Sequence, residues 1–129
     1  VYAQRTVCAA RKRLGTAVDL IAYQDETLVL VELKCGYDQG RTAPALVDGQ
    51  AASMRAPLTK CADCVLHRHF LQLAVTLQLF LNETATQQAL ATHASAVQGL
   101  LMYANDEGVD FYDLPEWWRK RGTRLLKHL

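Results

Sequence analysis

Asp19, Glu32 and Lys34 are the residues of this sequence whose types and spacing are best suited to chemistry. Glu32 and Lys34 are two positions apart, so on a β-strand their side chains project from the same face. If Asp19 lies beside Glu32 on a neighbouring strand, the two carboxylates repel each other unless a cation lies between them. Two carboxylates with an adjacent lysine therefore indicate a site for a divalent metal ion.

A β-hairpin is the element that must bring these residues together. Two apolar strands separated by a short polar turn are predicted between Ala17 and Lys34. With the Asp25-Glu26 pair at the centre of the turn, Asp19 faces Glu32 and Ala17 faces Lys34. Facing residues of an antiparallel pair have Cβ atoms about 4.5–5.5 Å apart, which is close enough for two carboxylates to share one ion.

The second strand of this hairpin carries four aliphatic residues, 28–31, directly before Glu32. This run predicts a strand that is buried on both faces. A buried carboxylate costs several kcal/mol unless it is paired or binds a metal ion. A structural ion pair between Glu32 and Lys34 is the alternative, but we favour the metal site.

Length and composition indicate one ordinary globular domain over residues 1–129. Half of the residues are hydrophobic and 21% are charged, which is typical of a soluble domain. The first residue is Val rather than Met, so we expect a processed chain or a piece of a longer protein. Because the sequence contains no apolar run of membrane-spanning length and no visible secretory signal, we expect an intracellular, reducing location and no membrane partner.

Four cysteines are present, at positions 8, 35, 61 and 64. Cys8 and Cys35 stand in apolar strand contexts, so we expect both to be small buried thiols. Cys61 and Cys64, followed by two histidines, have the ligand types of a structural zinc site. The histidines, at positions 67 and 69, point about 200° apart at the start of a helix, so we favour unmodified thiols over zinc.

The remaining sequence predicts a mixed β-sheet flanked by helices, an α/β fold. Leu66, Phe70, Leu73, Leu77 and Phe80 form one apolar stripe on a long helix. A long connection, expected to be functional or mobile, fills residues 36 to about 60. The predicted elements are a strand over 1–8 (with a helix as the alternative), the hairpin, helices over 66–81 and 84–96, strands over 97–104 and 109–114, and a helix after Pro115.

Three of these segments together resemble the PD-(D/E)xK nuclease superfamily and, within it, the RecB-like exonuclease branch. They are residues 15–19 (GTAVD), residues 32–34 (ELK) and residues 69–73 (HFLQL), of which the last looks like the HxxQL motif of that branch. The resemblance implies a restriction-endonuclease-like fold. It also implies a metal-dependent, exonuclease-like enzyme that hydrolyses phosphodiester bonds, most often in DNA.

The resemblance also implies roles for individual residues. Asp19 and Glu32 would bind Mg²⁺ or Mn²⁺ together with the Leu33 carbonyl, and Lys34 would orient or deprotonate the attacking water. Gln72 would contact the edge of the active site or the nucleic-acid backbone. Asp19, Glu32, Lys34 and Gln72 are thus the expected catalytic residues.

Two positions depart from the family pattern. Thr76 stands where the helix motif continues to a tyrosine, and no acidic residue precedes Asp19. The alternative is therefore a catalytically inactive module that keeps the nuclease fold and binds nucleic acid or another protein.

The expected partner is DNA, single- or double-stranded, with a helicase or another domain of the parent chain as a further partner. Net charge is only +1, but Arg11, Lys12 and Arg13 form a basic cluster that we expect to contact phosphates. A second basic cluster lies near the C-terminal end. Trp117 and Trp118 are adjacent on the last predicted helix, so one of them is expected to be exposed.

Overall fold

The computed structural model describes residues 2–36, 40–92 and 94–128. Within these ranges, seven strands and three α-helices follow one another, with one turn of 3-10 helix at Ala10–Lys12. The strands are β1 (Tyr2–Ala9), β2 (Leu14–Gln24), β3 (Thr27–Cys35), β4 (Leu46–Val47), β5 (Gln50–Ala51), β6 (Ala96–Asn105) and β7 (Gly108–Asp113). The helices are α1 (Val65–Leu81), α2 (Thr84–Thr92) and α3 (Glu116–His128).

Five of these strands form one mixed sheet in the order β1-β2-β3-β6-β7. The first three strands form an antiparallel meander, β6 runs parallel to β3, and β7 returns antiparallel to β6. The predicted mixed α/β fold is thus confirmed, as is β1 as an edge strand. No helix in the described part of the chain is long and apolar enough to cross a membrane.

The β2–β3 hairpin has the predicted register over its regular part, from the Gln24–Thr27 pair to the Leu20–Val31 pair. Asp25 and Glu26 form the turn, with φ angles of 48° and 61°. Positive φ at both central residues is the turn conformation that matches the twist of a hairpin, although Asn-Gly is the usual sequence for it.

The apolar stripe of α1 lies in the core as predicted: all five of its residues are buried. The helix packs against β6 on one side and against α3 on another. Gly122 of α3 approaches Ala74 of α1 so closely that a Cβ atom at Gly122 would lie 2.7 Å from the Ala74 carbonyl carbon. Trp118 is buried and Trp117 is 43% exposed, which confirms that one of the two tryptophans is exposed.

The expectation that β3 is buried on both faces is correct over residues 30–32 but wrong at the end of the strand. Its helix-facing residues Leu30 and Glu32 are buried, but Leu33 on the opposite face is 42% exposed. The helices cover one face of the sheet, so alternate residues of β3 meet different surroundings. On the face of Leu33, Val31 is still buried, so this face becomes exposed only after the aliphatic run ends.

The expectation for the cysteines is also wrong. Cys8 and Cys35 are exposed, because their strands turn these side chains away from the helices, whereas Cys61 and Cys64 are buried in the core. Two further features of the secondary structure differ from the prediction. The long connection contains the small β4–β5 hairpin, and α2 ends at Thr92 because β6 begins at Ala96.

Candidate metal and nucleic-acid site

The predicted site lies where the β2–β3 pairing ends. Pairs between these strands stop at Leu20 and Val31, one residue short of the predicted Asp19–Glu32 pair, whereas β3 remains paired with β6 as far as Cys35. From this position Asp19 accepts a hydrogen bond through Oδ2 from the Leu33 N–H, at 2.9 Å. Thus the two strands remain connected by the Asp19 side chain at the point where their backbone pairing stops.

Glu32, Lys34 and Gln72 form a closed set of hydrogen bonds. Glu32 Oε1 accepts from Lys34 Nζ at 2.9 Å and from Gln72 Nε2 at 2.7 Å. Lys34 Nζ also donates to Gln72 Oε1, at 3.0 Å. The structure therefore brings three of the four predicted catalytic residues into direct contact, with β3 and α1 each contributing to the set.

The second carboxylate oxygen of Glu32 takes no part in this set of hydrogen bonds. Glu32 is 4% exposed, and its Oε2 is a buried atom for which the described residues provide no hydrogen-bond partner. Burial raises the pKa of the Glu32 carboxyl, the hydrogen bond and charge of Lys34 lower it, and the nearby charge of Asp19 raises it again. An ionised carboxylate in such a place gains from a cation next to the unsatisfied oxygen.

The oxygens at this site are of the ligand type that hard divalent cations prefer. The candidate ligands are the Asp19 and Glu32 carboxylates and the Leu33 carbonyl, all of which are oxygens of the kind that Mg²⁺ and Mn²⁺ prefer. The Leu33 N–H is directed toward Asp19, and the N–H and C=O of one strand residue point to the same neighbouring strand. In the ranges 2–36, 40–92 and 94–128 there is no group of three or more His, Cys, Asp or Glu side chains that could hold a metal ion. A metal here would depend on two carboxylates, a backbone carbonyl and water.

His69 lies one turn before Gln72 on α1, and its Nδ1 lies 2.7 Å from the hydroxyl of Tyr103. Burial, followed by the charge of Lys34, lowers the pKa of His69 to about 4, so its ring is neutral at pH 7. Tyr103 was not among the predicted site residues. Its only sequence signal is the alternation of Val97, Leu101 and Tyr103 along β6, which indicates an inward-facing position.

The candidate zinc ligands are not brought together. Cys61 and Cys64 are buried among apolar residues, where burial raises the pKa of the Cys61 thiol. His67 Nδ1 lies 2.9 Å from the Ala62 carbonyl oxygen, while His69 contacts Tyr103. The two histidines thus face different partners, as their spacing on a helix predicts.

The basic cluster of Arg11, Lys12 and Arg13 is exposed on the turn between β1 and β2. This turn leads into Leu14, which lines a groove of about 320 Å³ between the start of β2 and α1. Gln72 lines the same groove, so the groove reaches the Glu32–Lys34 site. Thr76, which stands at the position of the family's tyrosine, also lines it and is 1% exposed.

The fold and the site together define a mixed α/β protein with two acidic residues and a lysine where the pairing of its central hairpin ends. No protein-family model matches the chain, and no curated protein and no solved structure is significantly similar to it. The resemblance to nucleases therefore depends on residues 15–19, 32–34 and 69–73 and on the contacts that these residues make.

Proposed function

We propose that this chain is a divalent-metal-dependent nuclease of the PD-(D/E)xK type, with a restriction-endonuclease-like fold and DNA as its substrate. The observation that carries the proposal is the buried Glu32 carboxylate, of which one oxygen is held by Lys34 and Gln72 while the other is unsatisfied. A purely structural ion pair gives no reason to keep this oxygen buried and without a partner.

Each residue of the site would have its own role in the reaction. Asp19, Glu32 and the Leu33 carbonyl would hold Mg²⁺ or Mn²⁺. When bound, such an ion lowers the pKa of water and offsets the negative charge that develops on the phosphate. Lys34 lies beside the carboxylate with its ammonium already oriented by Gln72, so it is placed to hold a water molecule or a phosphate oxygen. Gln72 lies on the groove between β2 and α1, along which a DNA strand would approach.

Cleavage assays on the purified protein test this proposal. Labelled single-stranded and double-stranded DNA are incubated with Mg²⁺, Mn²⁺ or EDTA. We expect metal-dependent cleavage that Asp19→Asn and Lys34→Met reduce by at least about 100-fold, the scale expected when a group that stabilises transition-state charge is removed. Asp25→Asn is the matched control, because it removes a carboxylate from the turn of the same hairpin and asparagine tolerates positive φ.

Two results would contradict the nuclease proposal. If the wild-type protein binds DNA but cuts neither form with either metal ion, the chain is the non-catalytic nucleic-acid-binding module that is the alternative. If Asp19→Asn and Lys34→Met cut as fast as Asp25→Asn, any activity in the preparation belongs to another protein or to another site.

A further inference from the structure

Arg41 follows β3 in the long connection, yet it is only 8% exposed. Its Nη1 donates to Asp110 Oδ2 at 2.8 Å and to the Tyr112 hydroxyl at 3.3 Å. Its carbonyl oxygen accepts a hydrogen bond at 2.9 Å from the Leu66 N–H in the first turn of α1. One residue of the connection is therefore fixed to β7 by its side chain and to α1 by its backbone.

The same guanidinium lies against the ring of Tyr103, with its Cζ 4.4 Å from the ring centroid. Tyr103 is 2% exposed, so this cation–π contact is shielded from water, where such contacts are strongest. Tyr103 on β6 is also the strand partner of Lys34 on β3. Partners in neighbouring strands project from the same face, so the tyrosine lies beside the catalytic lysine.

Tyr103 continues this line of contacts to α1 through its hydrogen bond with His69 Nδ1. His69 and Gln72 are three residues apart and thus share one face of the helix. Gln72 in turn holds both Glu32 and Lys34. Contacts thus lead from Arg41 through Tyr103 to His69, which lies one helical turn from Gln72, and Gln72 contacts the candidate site.

We propose that Arg41 is a positioning residue for the candidate site, acting through Tyr103 and His69 to hold Gln72 against Glu32 and Lys34. The Arg41 cation over the ring draws electron density from the phenol, which makes the Tyr103 hydroxyl a stronger hydrogen-bond donor. Tyr103 therefore donates to Nδ1, and the single proton of the neutral His69 ring is on Nε2. This bond fixes α1 relative to β6 one turn away from Gln72.

The tautomer of His69 provides a measurement that a merely structural role of Arg41 would leave unchanged. ¹⁵N NMR of the histidine ring at pH 7 distinguishes protonated from unprotonated nitrogens in the folded protein. In the wild type we expect His69 to be neutral with its proton on Nε2. Arg41→Met should convert His69 into a mixture of tautomers, and Tyr103→Phe, which keeps the ring but removes the donor, should do the same.

Arg5→Met is the matched control. Arg5 makes the same kinds of contact, a 2.8 Å ion pair with Glu83 and a position over the Phe80 ring at 5.8 Å, without any contact to Tyr103. It should leave the His69 tautomer unchanged. Where the protein cleaves DNA, Arg41→Met should lower kcat about 10-fold or more with little change in KM, as expected for loss of a residue that orients a ligand.

The NMR measurement does not depend on the proposed nuclease function. Only the kinetic part of the inference rests on that function. A wild-type protein that cleaves no DNA overturns the nuclease proposal and leaves the tautomer measurement valid. A wild-type His69 with its proton on Nδ1 overturns the positioning role, as does an unchanged tautomer in Arg41→Met, whatever the result for Tyr103→Phe. Equal effects of Arg41→Met and Arg5→Met on the tautomer would also overturn it, since they would indicate a general loss of stability.

Discussion

Replacing Glu32 by Gln tests the candidate metal site without any measurement of nuclease activity. The substitution keeps the shape of the side chain and an oxygen that can accept from Lys34, but it removes the negative charge and the unsatisfied carboxylate oxygen. We therefore expect the folded variant to lose its response to Mn²⁺, while the wild type is stabilised by the ion.

The size of the effect follows from binding linkage. An ion that binds only the folded state at one hundred times its Kd stabilises that state by about 2.7 kcal/mol. For a chain of 129 residues, 1 kcal/mol corresponds to roughly 3–5 °C in Tm. The wild-type Tm should thus rise by roughly 10 °C between EDTA and saturating Mn²⁺, and the Tm of Glu32→Gln should scarcely change.

In EDTA, the unfolding free energies of the wild type and of Glu32→Gln should also depend differently on pH. Burial raises the pKa of the Glu32 carboxyl in the folded protein above its ordinary value of 4.5. A raised carboxyl pKa means that the folded state binds the proton more tightly than the unfolded state, so this group stabilises the fold most below pH 4.5. That contribution is lost as the pH rises through the folded-state pKa. The unfolding free energy of the wild type should therefore fall relative to that of Glu32→Gln over this range.

Thermal unfolding followed by circular dichroism, with and without Mn²⁺, measures the metal response, and urea unfolding between pH 4 and 8 measures the pH dependence. Glu26→Gln, in the exposed turn of the same hairpin, is the control for loss of one negative charge. Equal Mn²⁺ shifts in the wild type and Glu32→Gln would refute the assignment of Glu32 as a ligand. An absent shift in the wild type would refute the metal site as a whole.

Three further outcomes are expected. Lys34→Met should destabilise the protein by about 3 kcal/mol in EDTA at pH 7, because Glu32 and Lys34 form a buried ion pair with side chains only 5% and 14% exposed; urea unfolding that shows no loss would contradict a strong pair. Gly122→Ala should cost about 1–3 kcal/mol, since the new Cβ meets the Ala74 backbone; an unchanged Tm would show that the two helices separate easily. His69, with a pKa of about 4, should stay neutral in an NMR titration from pH 7 to 5. Because the unfolded state then binds the proton more readily, the unfolding free energy should fall as the pH drops from 6.5 toward 4. In His69→Asn this part of the pH dependence should be lost.

The hairpin could be predicted because the information that specifies it is local. A short polar turn between two apolar runs fixes the register from Gln24–Thr27 to Leu20–Val31. The stripe of α1 likewise identifies its buried face, and its spacing places Gln72 away from the apolar core. The contact of Gln72 with Glu32 joins residues forty positions apart, and only the resemblance to a nuclease family led to it.

What could not be predicted depends on which face of the sheet the helices cover. An aliphatic run does not reveal whether one or both faces are buried, so the exposure of Leu33 and Cys35 was not foreseen. Arg41 was missed for a related reason. Its partner Asp110 lies 69 positions away, and an arginine in a polar connection gives no local sign that it will be buried.

The position of Asp19 is what brings a second carboxylate to the candidate site. On the β1 side, the pairs Ala3–Leu20 and Arg5–Val18 flank Asp19, and the residue between them, Gln4, has a φ of 51°. On the β3 side, the pairing stops at Leu20. The regular strand is thus interrupted on both sides of one carboxylate, and strand irregularities of this kind re-aim side chains at active sites. Because of this interruption, the Leu33 N–H donates to the Asp19 carboxylate rather than to the β2 backbone. This hydrogen bond brings the carboxylate to the strand that carries Glu32 and Lys34. The irregularity of β1 and β2 at Asp19 therefore supplies the geometry that a regular hairpin of the same sequence would lack.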